Sequence, residues 1–153
     1  MRIAVAADER VALTDALLEE LARRGHETLC HGALSEQERG DWAWASAAAA
    51  RDVAEGRAEL AIVCCWTGTG ASIAANKVAG VRAALCGDAT TAAGVRRWND
   101  ANVLALSLRA VGAGVLGEIL DAWFETPAST QSEDAANVAH LVELESSSAA
   151  DQL

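Results

Sequence analysis

Leu60-Ala61-Ile62-Val63-Cys64 is an apolar run without alternation, the pattern of a parallel strand covered on both faces. Thr67-Gly68-Thr69-Gly70 then interrupts it, because glycine permits positive φ and close approach of the backbone to a ligand. Ala71 to Lys77 is helix-prone. A buried strand, a glycine turn and a helix start in immediate succession leave few architectures open. The turn gathers backbone N–H groups with the positive end of a helix dipole behind them. Cys65 falls at the carboxyl end of the strand, where open α/β sheets hold their ligands. Cys65 is therefore the candidate proton-moving or nucleophilic group.

The same alternation recurs along the chain. Arg2–Ala7 reads as a first strand that ends at Asp8-Glu9-Arg10. Ala12, Leu13, Ala16, Leu17, Leu18, Leu21 and Ala22 recur at helical spacing, and Gly25 closes that helix. His26–His31 is a second strand, followed by a polar loop from Gly32 to Gly40. Asp41 caps a helix from Trp42 to about Glu55, with Gly56 as its stop. Val81–Cys86 is a fourth strand, and Asp88 precedes a helix to about Arg97. Asn102–Ser107 is a fifth strand, and a helix runs from Gly112 or Gly114 to Phe124. Thr130 and Glu133 have capping-box spacing for a last amphipathic helix through Leu144. Residues 1–145 are expected to form one domain, with 146–153 as a flexible tail.

Five strand–helix alternations predict an α/β chain with a doubly wound, mainly parallel five-stranded sheet and helices on both faces. A dinucleotide fold competes, but Thr67-Gly68-Thr69-Gly70 lacks the third glycine of that fingerprint and follows the third strand. With 12 Lys and Arg against 22 Asp and Glu, the net charge is −10, which disfavours nucleic acid as a partner. No apolar run is long enough to span a membrane. Ile3–Ala7 is too short for a signal segment, so a cytoplasmic location is expected. Cys30, Cys64, Cys65 and Cys86 show no metal-ligand spacing and read as free thiols. Cys64 precedes Cys65 in the strand and should face the opposite side.

Cys65, Thr67-Gly68-Thr69-Gly70 and Ser72-Ile73-Ala74-Ala75-Asn76-Lys77 together resemble the signature loop of type B ribose-5-phosphate isomerases and galactose-6-phosphate isomerase subunits. Arg82–Cys86 and Asn99–Leu106 look like the next two blocks of that family. Asp8, Asp41, Asp121-Ala122-Trp123 and Thr126-Pro127 also fall into place, so the resemblance spans about residues 2 to 127. It implies a Rossmann-like three-layer α/β/α fold, a homodimer with sites at the subunit interface, and no metal or cofactor. The implied reaction is aldose–ketose isomerisation of a sugar or sugar phosphate through a cis-enediolate. By matching position, Cys65 is the base, with Asp8 on the sugar hydroxyls and Thr67 beside the thiol. Backbone N–H groups of Gly68, Thr69 and Gly70, with Asn99 nearby, hold the enediolate oxygen. Arg109 matches a phosphate-contacting arginine offered across the dimer. The physics agrees: abstraction beside a carbonyl needs a tuned base, and the oxyanion needs preorganised donors.

The departures from the family pattern fall at functional positions. Glu9, Trp98 and Gly87 stand where the family has His, and Trp66 stands where it has Gly. The two arginines that clamp phosphate align with Ser132 and Ala136. Imidazoles and guanidiniums have given way to indoles and a carboxylate, so Trp66 and Trp98 are expected to line the pocket. Such a pocket suits a substrate other than a simple pentose 5-phosphate. Arg10, Arg96 and Arg97 flank the same loops and are the candidates to rebuild an anion site. The alternative is a non-catalytic sugar-binding or partner subunit that retains the fold. Trp42, Trp44 and Trp123 read as core or interface.

Overall fold

The computed structural model describes the backbone of residues 1–150 and the side chains of 1–148. Five strands form one parallel sheet: β1 (Arg2–Ala7), β2 (Glu27–Gly32), β3 (Leu60–Cys65), β4 (Ala83–Leu85) and β5 (Val103–Ser107). Their order is β2-β1-β3-β5-β4. The helices are α1 (Ala12–Arg23), α2 (Trp42–Ala54), α3 (Thr69–Ala75), α4 (Ala89–Asn99), α5 (Ala113–Glu125) and α6 (Ser132–Ala150). This is the expected Rossmann-like α/β fold. Among the described residues, no helix is long and apolar enough to cross a membrane.

Alternation along the strands divides the interior into two unlike layers. Ile3, Val5, Ile62, Cys64, Leu104 and Leu106 face α1, α4 and α5, where Leu17, Leu21, Leu116, Ile119, Leu120 and Trp123 are buried. Each such Leu or Ile contributes about 2 kcal/mol through burial. The other face carries Ala4, Ala6, Ala61, Val63, Cys65 and Ala105, packed on Ala45, Ala49, Ala50, Ala71 and Ala75 of α2 and α3. Small residues on both sides let those two helices approach the sheet closely. That tight layer is what holds the β3–α3 turn against α2.

The helix boundaries follow local chemistry. Gly25 and Gly56 close α1 and α2 as expected, the Gly25 N–H bonding Ala22 and the Gly56 N–H bonding Val53. Asp41 and Asp88 cap α2 and α4 by accepting from the Trp44 and Thr91 N–H groups at 2.8 and 2.7 Å. Three elements differ most from expectation. β4 is shorter than Val81–Cys86, because residues 81 and 82 bend away to bond the turn before β5: the Arg82 N–H donates to Asn102 Oδ1 at 2.7 Å. α3 starts at Thr69, inside the glycine turn, and ends at Ala75. α6 continues past Leu144 to Ala150 where a tail was expected from Ser146, and residues 151–153 lie outside the described residues.

Candidate active site

The chain leaves β1 toward β2 on one side and returns to place β3 on the other. A crevice therefore opens between the carboxyl ends of β1 and β3, the switch point at which such sheets bind ligands. Ala7 pairs with Cys64, so Asp8 lies level with Cys65. Cys65 is 5 % exposed and faces the α2–α3 side, where the Ala71 N–H donates to its Sγ at 3.4 Å. Cys64 faces the opposite layer. Burial, with smaller contributions from Cys65 and Asp8, pushes its thiol up to about 12, so it stays protonated at neutral pH. Of two adjacent thiols, only Cys65 opens on the crevice side.

Asp8 is half-buried, and its Oδ1 has no hydrogen-bond partner among the described residues. Burial raises its pKa, backbone N–H groups of Asp8 and Glu9 oppose that, and the Glu9 charge adds to it. Glu9 itself is exposed. A carboxyl held in this way can accept from a sugar hydroxyl that enters the crevice.

The loop after β3 is fixed from below. The Cys65 carbonyl accepts from the Gly68 and Leu108 N–H groups at 3.2 and 3.0 Å. The Trp66 carbonyl accepts from the Arg109 N–H at 3.2 Å and from Ser107 Oγ–H at 2.9 Å. The N–H groups of Thr67, Thr69 and Gly70 have no partner among the described residues. Gly68 does not join them as a donor, contrary to the sequence reading, since its N–H is spent on Cys65. Its role is conformational. At φ 75° a side chain is strained, and a Cβ there would lie 2.8 Å from the Leu106 backbone carbon. Thr67 and Thr69 share a hydroxyl contact of 2.7 Å over the exposed side of the turn.

The indole of Trp42 covers Gly70: a Cβ at Gly70 would meet its Cε3 at 2.9 Å. Trp42 is exposed, as is Trp44, so neither belongs to the core; Trp123 alone of the three is fully buried. Sequence reasoning missed Trp42 and Ser107. The signal was topological: helix starts after strands, such as Trp42, lie at the carboxyl edge of a parallel sheet. Trp66 stands exposed at the same edge.

Trp98 and Asn99 are elsewhere. They end α4, ahead of β5, and Val103 pairs with Ala61 while Ser107 pairs with Cys65. Those pairs are four residue steps apart along the strand, a distance of about 13 Å. Trp98 and Asn99 therefore lie at the amino edge of the sheet, and within one chain they do not share a pocket with Cys65. Trp98 is 56 % exposed and walls a groove with Ser129, Asp134 and Val138 beside α6. The turn they lead into is braced by Arg82 on Asp100 at 3.2 Å and by Arg96 on the Ala101 carbonyl. Ser132 and Ala136 lie on α6 at this same edge.

The Arg109 backbone follows this loop in its own chain, its N–H bonding the Trp66 carbonyl. Two of the arginines expected to rebuild an anion site are committed elsewhere. Arg10 donates to Asp15 at 2.9 Å, and Arg96 stacks 5.2 Å over the Trp123 ring. Arg97 is exposed next to Trp98. Among the described residues, no three His, Cys, Asp or Glu side chains gather as a metal site.

A doubly wound sheet with a thiol, a half-buried carboxyl and three free N–H donors at its switch point is equipped to move a proton beside a carbonyl and to hold the resulting oxyanion. The family model described as Ribose/Galactose Isomerase matches residues 3–141, and the chain belongs to that family. It is 41% identical over 107 residues to ribose-5-phosphate isomerase B of Escherichia coli (strain K12), covering 70% of this chain and 71% of that protein. It is 35% identical over 147 residues to ribose-5-phosphate isomerase B of Mycobacterium tuberculosis (strain CDC 1551 / Oshkosh), covering 95% and 90%. The solved ribose-5-phosphate isomerase B of Clostridium thermocellum superposes with a TM-score of 0.87 at 33% identity, over 96% of this chain and 99% of that one. By that kinship the chain is an aldose–ketose isomerase.

Proposed function

We propose that Cys65 shuttles the proton between C1 and C2 of an open-chain aldose, through a cis-enediolate whose oxygen is held by the Thr67, Thr69 and Gly70 N–H groups. The observation that carries this reading is the geometry of Cys65: a thiol on the crevice side, under an N–H donor at 3.4 Å, at the switch point of the sheet. Asp8 accepts from the sugar hydroxyls. The working unit is a homodimer in which the amino-edge turn of one chain, with Trp98 and Asn99, closes the crevice of the other. The sheet register supports this, because it keeps the two halves apart within a chain. Exposed apolar side chains on both halves also support it: Trp66, Ile73 and Leu85 around the loop, and Trp98, Leu141 and Leu144 opposite.

The substrate is a pentose, a hexose or a derivative of one, and its far end meets indole and few cations. Arg109, after the loop, and Arg97, beside Trp98, are both exposed. A dianionic phosphate is met in full by several cations, so the reading favours a sugar whose far end is uncharged or otherwise substituted. Exchange of solvent deuterium into a panel of aldoses and their phosphates, in wild type and Cys65→Ala, tests both parts. The expected result is thiol-dependent exchange, with ribose 5-phosphate not preferred over every unphosphorylated aldose. Efficient turnover of ribose 5-phosphate that is abolished in Arg109→Ala would refute the substrate assignment and leave the base in place.

A further inference from the structure

Ser107 is the last residue of β5 and the register partner of Cys65. It is a buried polar residue with both hydrogen-bonding capacities used. Its Oγ–H donates to the Trp66 carbonyl at 2.9 Å, and its Oγ accepts the Ala110 N–H at 3.2 Å. Accepting from Ala110 restricts the hydroxyl rotor, so the proton has one favourable direction, toward Trp66.

A trans peptide is planar, and its C=O and N–H point opposite ways. Drawing the Trp66 carbonyl down onto β5 therefore turns the Thr67 N–H away from the sheet, onto the open side of the loop. The second donor to that carbonyl, the Arg109 N–H at 3.2 Å, belongs to the turn that the Ala110–Ser107 bond closes. One hydroxyl thus governs both bonds to the carbonyl.

We propose that Ser107 is a positioning residue for the isomerisation, aiming the Thr67 N–H at the developing enediolate oxygen. This rests on the assignment of Cys65 and its loop as the site of proton transfer. Ser107 touches no reacting atom. It acts through the 66–67 peptide plane, and its removal lowers the rate of the chemical step more than it weakens substrate binding.

The test compares Ser107→Thr with Ser107→Val, which add the same branched bulk and differ only in the hydroxyl; Ser107→Ala is a third, smaller variant. Cys65→Ala is measured alongside, with deuterium exchange on whichever aldose or aldose phosphate the wild type turns over. Loss of a well-placed oxyanion donor costs about 10²–10³ in kcat, and misaiming one by loosening its peptide is expected to cost about tenfold. The expected result is kcat about tenfold lower in Ser107→Val and Ser107→Ala than in Ser107→Thr, with KM changed less than about twofold. Equal kcat in Ser107→Thr and Ser107→Val, with Cys65→Ala inactive, overturns the proposal and leaves the thiol mechanism standing. A shift confined to KM overturns it too. Exchange that persists in Cys65→Ala, or no thiol-dependent exchange on any aldose, overturns the assignment of the loop and this proposal with it.

Discussion

The carboxyl-edge loop from Cys65 to Gly70 and the amino-edge turn from Trp98 to Asn102 are held by different means, and they have departed from the family pattern to different degrees. The loop is fixed by backbone. Its carbonyls are bonded by Gly68, Leu108, Arg109 and Ser107, and its glycine passes within 2.8 Å of the Leu106 backbone, measured from where a Cβ would stand. A side chain at Gly68 would run into main chain. The turn is fixed by side chains, with Arg82 and Arg96 bracing it and Asp100 in the left-handed region at φ 44°. Trp98 lies more than half exposed beyond that brace. The family's residues survive in the loop apart from Trp66, whereas the turn's leading residue and the neighbouring α6 positions have changed. On the proposed function, the loop carries the chemistry and the turn the selectivity.

The strongest way to break this comparison is at the thiol pair. Cys65→Ala is expected to lower kcat about 10³-fold, as removal of a general base does, while Cys64→Ala leaves kcat within about threefold. Measured exchange that fails equally in both variants would mean that the strand, not the crevice-facing thiol, carries the effect.

A smaller contrast lies inside the loop. Gly68→Ala meets backbone at positive φ and should cost about 3 kcal/mol of stability in denaturant melts. Gly70→Ala meets only the exposed Trp42 ring, which can swing aside, and should cost less than about 1 kcal/mol. Equal losses would show that Trp42 is as immobile as main chain.

The smallest effect concerns Asp8. Burial raises its pKa above the ordinary 3.8, so the folded chain binds that proton more tightly than the unfolded chain does. The favourable contribution is present at low pH and is lost as pH rises through the folded-state value. Asp8→Asn should therefore gain stability relative to wild type as pH rises from about 4 toward neutrality, by less than about 1 kcal/mol, while losing activity. A loss of stability in Asp8→Asn relative to wild type as pH rises would contradict the burial of the Asp8 carboxyl.

The order of strands and helices, the opposite facing of Cys64 and Cys65 and the place of Cys65 were readable from pattern, because burial on two faces and glycine punctuation are local signals. Trp98, Asn99 and Cys65 were expected around one site at a subunit interface, and the topology separates them within a single chain. In a parallel sheet each strand ends at one edge and each following helix returns to the other, so residues closing α4 lie opposite those ending β3. The role of Ser107 was not readable, since a serine ending an apolar strand looks the same whether or not its hydroxyl finds a carbonyl across the ladder. For Trp42, expected in the core or an interface, exposure removes the core reading, and its contact with Gly70 was not readable because the two lie far apart in sequence.

The central claim, that a site is built from the loop of one chain and the turn of another, is tested most directly by mixing two defective variants. Cys65→Ala spoils the loop and Asn99→Ala spoils the turn, and each homodimer should be inactive or nearly so. After unfolding and refolding together in equal amounts, half the dimers are mixed and each mixed dimer holds one intact site, so about a quarter of wild-type activity should return. Mixed samples no more active than the separate variants would show that Cys65 and Asn99 do not meet across an interface.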